Sequence, residues 1–183
     1  PEREANATRR YKLMYRTASS CLGVGFSPNG IVWHLATEIG CVIHNANSPT
    51  AVLWHPGRKW YLAHTRDVQA VPGTQRRVLL SASDDFIHWS PEGDVQFDEL
   101  DPPMNREFYD LPFTVVPEAG GLMVGCLNVF HVIEADYLGG GKMPPAPRPQ
   151  WYERLSYQLV SSRNGSSFSR AGYRQVFLPN GPP

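Results

Sequence analysis

The residues of this chain best suited to chemistry do not sit in one motif. Three carboxylates, Asp67, Glu107 and Asp110, stand beside arginine, histidine or asparagine in four polar segments: 44-HNANS-48, 66-RDVQAVPGTQ-75, 105-NREFYD-110 and Asn128 to His131. Carboxylates give or take protons, and His44, Asn45, Asn47, Arg66, Arg106, Asn128 and His131 donate hydrogen bonds to the oxygens of a polar ligand. A structural role stands beside each functional one: Arg66 and Asp67 suit an exposed loop pair, and Glu107 suits an ion pair with Arg106.

Other chemistries find less support. No HExxH or comparable spacing accompanies His44, so no tight transition-metal site is expected. A calcium held in a channel by carboxylate and asparagine oxygens is the one ion the residue types leave open, and no other cofactor is expected. The run 139-GGGKMPPAPRP-149 lacks the Ser or Thr of a phosphate loop, since Met143 follows Lys142. There is no GxSxG elbow. Cys21, Cys41 and Cys126 are odd in number and far apart, which predicts buried or idle thiols rather than a disulfide framework. His34, His55, His64 and His88 fall in turns or alternate with apolar residues and are expected to be structural.

These residues need elements to bring them together, and composition says which kind. In 183 residues, 17 prolines and 16 glycines accompany many Trp, Tyr, Phe and Val, a pattern of short strands and turns. Seventeen basic and 17 acidic residues cancel, giving no electrostatic reason to expect nucleic acid or an anionic membrane as partner. No apolar run reaches the roughly 20 residues of a spanning helix, and PEREANATRR does not read as a signal peptide.

A repeat organises the strands. The segments 27-SPNGIVW-33, 83-SDDFIHW-89 and 162-SRNGSSF-168 share one template: Ser, any residue, Asn or Asp, Gly or Phe, two further residues, then an aromatic. Each follows an apolar strand and suits a tight turn, with Ser bonding the turn amides and the aromatic covering the hairpin edge. Upstream of the second copy stand 50-TAVLW-54 and 59-KWYLAHT-65, and upstream of the third 110-DLPFTVV-116 and 122-LMVGCL-127. The expected unit is therefore strand A, turn, strand B, loop, strand C, template turn, strand D. That is an all-β propeller of four-stranded antiparallel blades, with remnants at about 10–40, 48–101 and 107–183 in one domain. The first copy lacks strand A, and 177-FLPNGPP-183 reads as the start of a following inner strand, so a longer ring is expected.

In such a blade the start of strand A and the B to C loop share one end, and the template turns lie at the other. All ten polar residues named above fall at the first end, where inner strands crowd an axis, so a polar funnel is expected there.

The segments RYKLMYR, HNANSPTAVLWHPGRKWYLAHTR, RRVLLSASDDFIHW, EFYDLPFTVVPEAGGLMVG and LSYQLVSSRNGSSF resemble uncharacterised bacterial proteins grouped with five-bladed propeller glycosidases, the arabinanase, levansucrase and invertase superfamily. The resemblance implies about three of five blades, a carbohydrate substrate, and hydrolysis of a glycosidic bond by funnel carboxylates: Glu107 as acid, Asp67 or Asp110 as partner, and Arg66, His44 and Asn47 on sugar hydroxyls. It also implies frequent export. The chain departs from it where Val68 follows Arg66-Asp67 and where Asn45 occupies a position usually held by Asp. A non-catalytic propeller that binds carbohydrate or a protein partner, with Phe108, Tyr109 and Phe130 stacking on it, is the competing reading.

Overall fold

In the computed structural model, which describes residues 4–17, 20–67, 76–97, 106–131 and 154–179, the chain forms three antiparallel sheets. The first joins β1 (Tyr11–Arg16), β2 (Cys21–Ser27) and an outer edge split into β3 (His34–Leu35) and β4 (Ile43–His44). The second runs in order β5 (Ala46–His55), β6 (Trp60–Asp67), β7 (Val78–Ser83) and β8 (Ser90–Asp94). The third has a broken inner strand, β9 (Arg106–Asp110) and β10 (Phe113–Val116), then β11 (Leu122–His131), β12 (Arg154–Ser162) and an outer edge of β13 (Ser169–Arg170) and β14 (Val176–Leu178). The A–B–C–D order read from the repeat is thus the observed one. Among the described residues there is no α-helix.

The core lies between sheets. Alternation along β6 sends Leu62 into a cluster with Leu80, Leu111, Met123, Leu127, Val160 and Phe168, and sends Ala63 into the opposite cluster with Leu22, Ile43 and Ala46. A third cluster joins Val24 and Phe26 to Phe86 across the first two sheets. Burying each such leucine or phenylalanine contributes roughly 1.5–3 kcal/mol, and neither neighbour can supply that burial alone.

Blades also hydrogen-bond to each other. Nε2–H of His55 donates to the Arg163 carbonyl at 3.0 Å, and Nε2–H of His64 to the Gly165 carbonyl at 2.7 Å. His64 is buried against Phe113 and Phe168, and that burial outweighs the Gly165 bond to bring its pKa down to about 4.

The three template turns are built alike. Oγ of Ser27, Ser83 and Ser162 accepts from the amide three residues on, at 2.9, 2.9 and 3.0 Å. Oδ1 of Asn29, Asp85 and Asn164 accepts two further amides each, at 2.8–3.0 Å. The fourth position is left-handed in every copy: Gly30 at φ 78°, Phe86 at 69° and Gly165 at 79°. Indole N–H of Trp33 and Trp89 closes back onto the fourth-position carbonyl at 3.1 Å. Phe86 holds a conformation that costs an L-residue about 1–2 kcal/mol, offset by ring burial against Phe26, Tyr61 and Trp89.

The structure revises three expectations. Cys21 and Cys41 are not idle thiols: they form a disulfide across 20 residues, tying the start of β2 to the outer edge of its own blade. Cys126 is the free cysteine. Of the segment expected to open a further inner strand, Phe177 and Leu178 instead belong to β14, which pairs with β12, Tyr157 facing Leu178; residues 180–183 lie outside the described residues. Strand A of the third blade also begins earlier and breaks at Leu111-Pro112, because proline has no amide to give the ladder and Leu111 turns into the core. Gly125 accommodates the break. A Cβ there would lie 2.7 Å from both Phe113 Cβ and the Pro112 carbonyl oxygen.

Candidate functional site

At the end of the blades away from the template turns, β6 and β7 of the second blade lie beside β9 of the third. Register puts His131 opposite Arg106, Phe130 opposite Glu107 and Asn128 opposite Asp110, with an irregularity between Asn128 and Val129. On the second blade Asp67 pairs with Ala46 and Arg66 with Ser48, so Asn47 occupies the bulge at their level.

Asp110 is the carboxyl that the described side chains define. It is half-buried; the Asn128 amide donates to it and the Arg66 guanidinium lies near enough to act on it electrostatically. Burial favours its neutral form more strongly than the Asn128 bond and the Arg66 charge favour the ion, so Asp110 titrates above the usual aspartate range. Its Oδ1 is shielded from solvent and accepts no hydrogen bond; Oδ1 of Asn128 and Nε of Arg66 are shielded and unbonded too. Three such atoms around one carboxyl are uncommon, because native proteins pair nearly all buried polar groups. A carboxyl kept short of hydrogen bonds holds its proton more readily.

Around Asp110 stands a shell of rings and guanidinium groups. Tyr109 and Phe130 stack at 5.9 Å, Arg66 Cζ lies 4.0 Å from the Tyr109 centroid, and Arg76 Cζ lies 4.9 Å from that of Phe130 and 5.8 Å from that of Tyr109. The Arg76 carbonyl accepts from the Phe108 amide at 3.1 Å, fixing the start of the second blade's strand C beside the third blade's inner strand. Phe108 itself turns away to pack on Phe97 and Arg170.

Of the residues singled out in the sequence, Arg66, Asp110 and Asn128 meet in this cluster. Asp67, Glu107, Arg106 and His131 occupy the same strand ends by register, but their side chains lie outside the described residues. His44 stands apart, on the outer strand β4 opposite Cys21, with its Nδ1 3.2 Å from the Cys41 sulfur. Asn45 is exposed at φ 56°, a left-handed conformation that asparagine tolerates, where the chain passes from the first blade to the second. Arg76 was missed, and only its place just before strand C, in the pair Arg76-Arg77, could have drawn attention to it. No group of three or more His, Cys, Asp or Glu suited to a metal ion occurs among the described residues.

No protein-family model matches the chain, and no curated protein matches it in sequence. Solved structures do match. An N-acetylgalactosamine deacetylase from F. plautii, crystallised with blood group B trisaccharide, shares 16% identity at a TM-score of 0.61 over 88% of this chain and 46% of its own. A fructofuranosidase from Schwanniomyces occidentalis, complexed with fructose, gives 13%, 0.49, 73% and 24% in the same order. A GH43 β-1,3-galactosidase gives 10%, 0.45, 91% and 44%. At these identities the likeness is one of fold, and the chain spans less than half the length of each. The fold is that of β-propeller blades.

Proposed function

We propose that the protein hydrolyses a glycosidic bond at the mouth of its blades, with Asp110 as the proton donor. The observation that carries this reading is the state of Asp110: a half-buried carboxyl, short of hydrogen bonds, with raised proton affinity, on an inner strand between two blades. Glycoside cleavage needs such a group to protonate the leaving oxygen as the bond to the anomeric carbon breaks, and a second carboxylate to attack that carbon or to activate water. Glu107 and Asp67 are the partners proposed here, and Asn128 orients the acid. The carbohydrate ligands of the F. plautii deacetylase structure, which shares the fold, support the substrate class.

Occupancy of the rings favours hydrolysis over binding alone. Phe108 is packed inward, and guanidinium groups already lie over Tyr109 and Phe130, so the platform a binding-only propeller would use is taken. The test is a screen of arabinose-, xylose-, fructose- and galactose-linked aryl glycosides with the wild type, Asp110→Asn, Glu107→Gln and Asp67→Asn. Turnover that falls on the order of 10²–10⁴-fold in Asp110→Asn, at a melting temperature no lower than that of the wild type, is expected. Wild-type turnover in that variant overturns the assignment. Sugar binding without turnover of any glycoside replaces hydrolysis with recognition.

A further inference from the structure

We propose that Cys41, with His44 beside it, is a thiol–disulfide exchange site: opened by a dithiol reductant, the Cys21–Cys41 bond frees the edge strand that leads into the mouth. The exchange is independent of which ligand the mouth takes.

The two sulfurs of the bond differ in access. Cys21, on β2, is 6% exposed, whereas Cys41 is partly exposed in the segment between β3 and β4. That segment is turned towards water: Thr37, Glu38 and Gly40 are exposed, and a Cβ at Gly40 would meet nothing within 4 Å. Its amides bond locally, Ile39 to the Ala36 carbonyl at 3.1 Å and Gly40 to the Thr37 carbonyl at 3.2 Å, and the Glu38 carboxylate meets His34 at 3.4 Å. An incoming thiol therefore reaches Cys41 before Cys21. An imidazole completes the site, with Nδ1 of the exposed His44 lying 3.2 Å from the Cys41 sulfur. A bond that only staples a fold has no use for a base, whereas a cysteine beside an imidazole ionises more readily than a free thiol and exchanges faster near neutral pH.

Opening takes two exchanges. A thiolate of the reductant attacks Sγ of Cys41, the S–S bond breaks, and Cys21 leaves with the bonding pair and takes a proton. The reductant's second thiol then closes the reductant's own disulfide and expels Cys41 as a thiolate, which His44 is placed to protonate. Two electrons and two protons pass to the protein.

What the bond holds is the approach to the mouth. Against β2 the edge has the two residues of β4, with Cys21 opposite His44 and Leu22 opposite Ile43, and the Val42 amide donating to the Leu22 carbonyl at 2.8 Å. The chain then turns at Asn45, φ 56°, and enters β5, where Ala46 pairs with Asp67 and Ser48 with Arg66. So short an edge opens readily once its cross-link is gone, and the start of β5 loosens with it.

The experiment uses the chain with Cys126→Ser, so that Cys21 and Cys41 alone react, and glutathione disulfide as the probe. In native protein carrying Cys21→Ser, the Cys41 thiolate should attack the probe, release one glutathione thiolate and accumulate the mixed disulfide, read by peptide mass. With Cys41→Ser, Cys21 should stay unmodified until the protein is denatured. Adding His44→Ala to Cys21→Ser should slow the modification about threefold or more. Dithiothreitol should open the bond in the native chain and raise hydrogen–deuterium exchange about tenfold or more over 42–48, and measurably over 64–67. If the serine variants fail to fold, the rates at which iodoacetamide labels the two cysteines of the reduced Cys126→Ser chain give the same comparison. Faster reaction at Cys21, a rate untouched by His44→Ala, or a bond that opens only on unfolding would make the disulfide a plain staple and overturn the site. A rise in exchange that stops at His44 overturns its link to the mouth.

Discussion

The two ends of these blades treat an aspartate in opposite ways. At the turn end, Asp85 accepts the amides of Ile87 and His88, the Ser83 hydroxyl and the His88 ring at 2.6–3.1 Å. Burial alone would raise its pKa, but the bonds from the His88 amide and ring, then from Ile87 and Ser83, outweigh it and bring Asp85 to about 2. At the mouth, burial outweighs what Asn128 and Arg66 offer Asp110, and the shift has the other sign. One aspartate uses its charge to hold a turn; the other is short of partners for its charge and holds a proton more tightly than an ordinary aspartate. The difference separates scaffold from site more sharply than residue type does, since both are aspartates at the ends of strands.

The largest effect that tests this contrast is kinetic. If Asp110 is the acid, activity requires its protonated form and should fall as pH rises through its raised pKa, and Asp110→Asn should abolish that alkaline limb along with most of the rate. Asp85→Asn should leave the limb in place. A profile whose alkaline limb survives in Asp110→Asn assigns the acid elsewhere.

Next in size is a backbone effect at the turn end. Gly165 sits at φ 79°, and a Cβ there would meet Leu62 Cδ1 at 2.6 Å. The Gly165→Ala substitution therefore adds a left-handed penalty to a clash in the core between the second and third blades, together about 2–4 kcal/mol in urea unfolding. Gly40, at φ 77° with nothing within 4 Å of its Cβ position, separates the two terms. Gly40→Ala should cost only the backbone part, about 1–2 kcal/mol. Equal losses at the two positions would mean that the turn does not dock against β6 as described.

Much of the turn end was legible in the sequence because its chemistry is local. Ser, Asn or Asp, Gly or Phe and an aromatic within seven residues suffice to close each turn, and the same template recurs in all three copies. The strand order followed from what lies between them. The mouth was legible only as a region. Pairing of Asp110 with Asn128 depends on the break at Leu111-Pro112 and on a register irregularity, and neither is visible before the strands are aligned. The approach of Arg66 to Tyr109 depends on how two sheets face each other, which no spacing encodes. His44 was grouped with the funnel because it precedes an inner strand, yet it belongs to the preceding outer strand. The disulfide escaped because two cysteines separated by 20 residues carry no motif; they meet only because the outer edge of the first blade returns to β2.

A smaller effect distinguishes the aspartates by stability. Replacing Asp85 by Asn removes the charge that the His88 ring and the turn amides stabilise, and should cost about 1 kcal/mol at neutral pH. A folded pKa of about 2 lies below the unfolded value near 3.8, so the charge stabilises the fold above that value and its contribution disappears as pH falls towards 2. The cost of Asp85→Asn, followed by thermal melting, should therefore shrink across the same interval. A cost independent of pH would assign it to lost contacts rather than to charge.

The smallest effect has the reverse sign. Asp110 has its folded pKa raised above the unfolded one, so its neutral form is the one the fold favours. That contribution is present in acid and is lost as pH rises through the folded pKa. Asp110→Asn makes the neutral state permanent, and the introduced amide can donate to Oδ1 of Asn128, which now has no donor. The variant should melt at or slightly above the wild type near neutrality, by about 0–1 kcal/mol, and its margin should narrow as pH is lowered. Stability gained where activity is lost is the signature of a carboxyl kept for chemistry rather than for the fold. A destabilised Asp110→Asn, with a loss that grows with pH, would make Asp110 a second Asp85 and erase the distinction between the two ends.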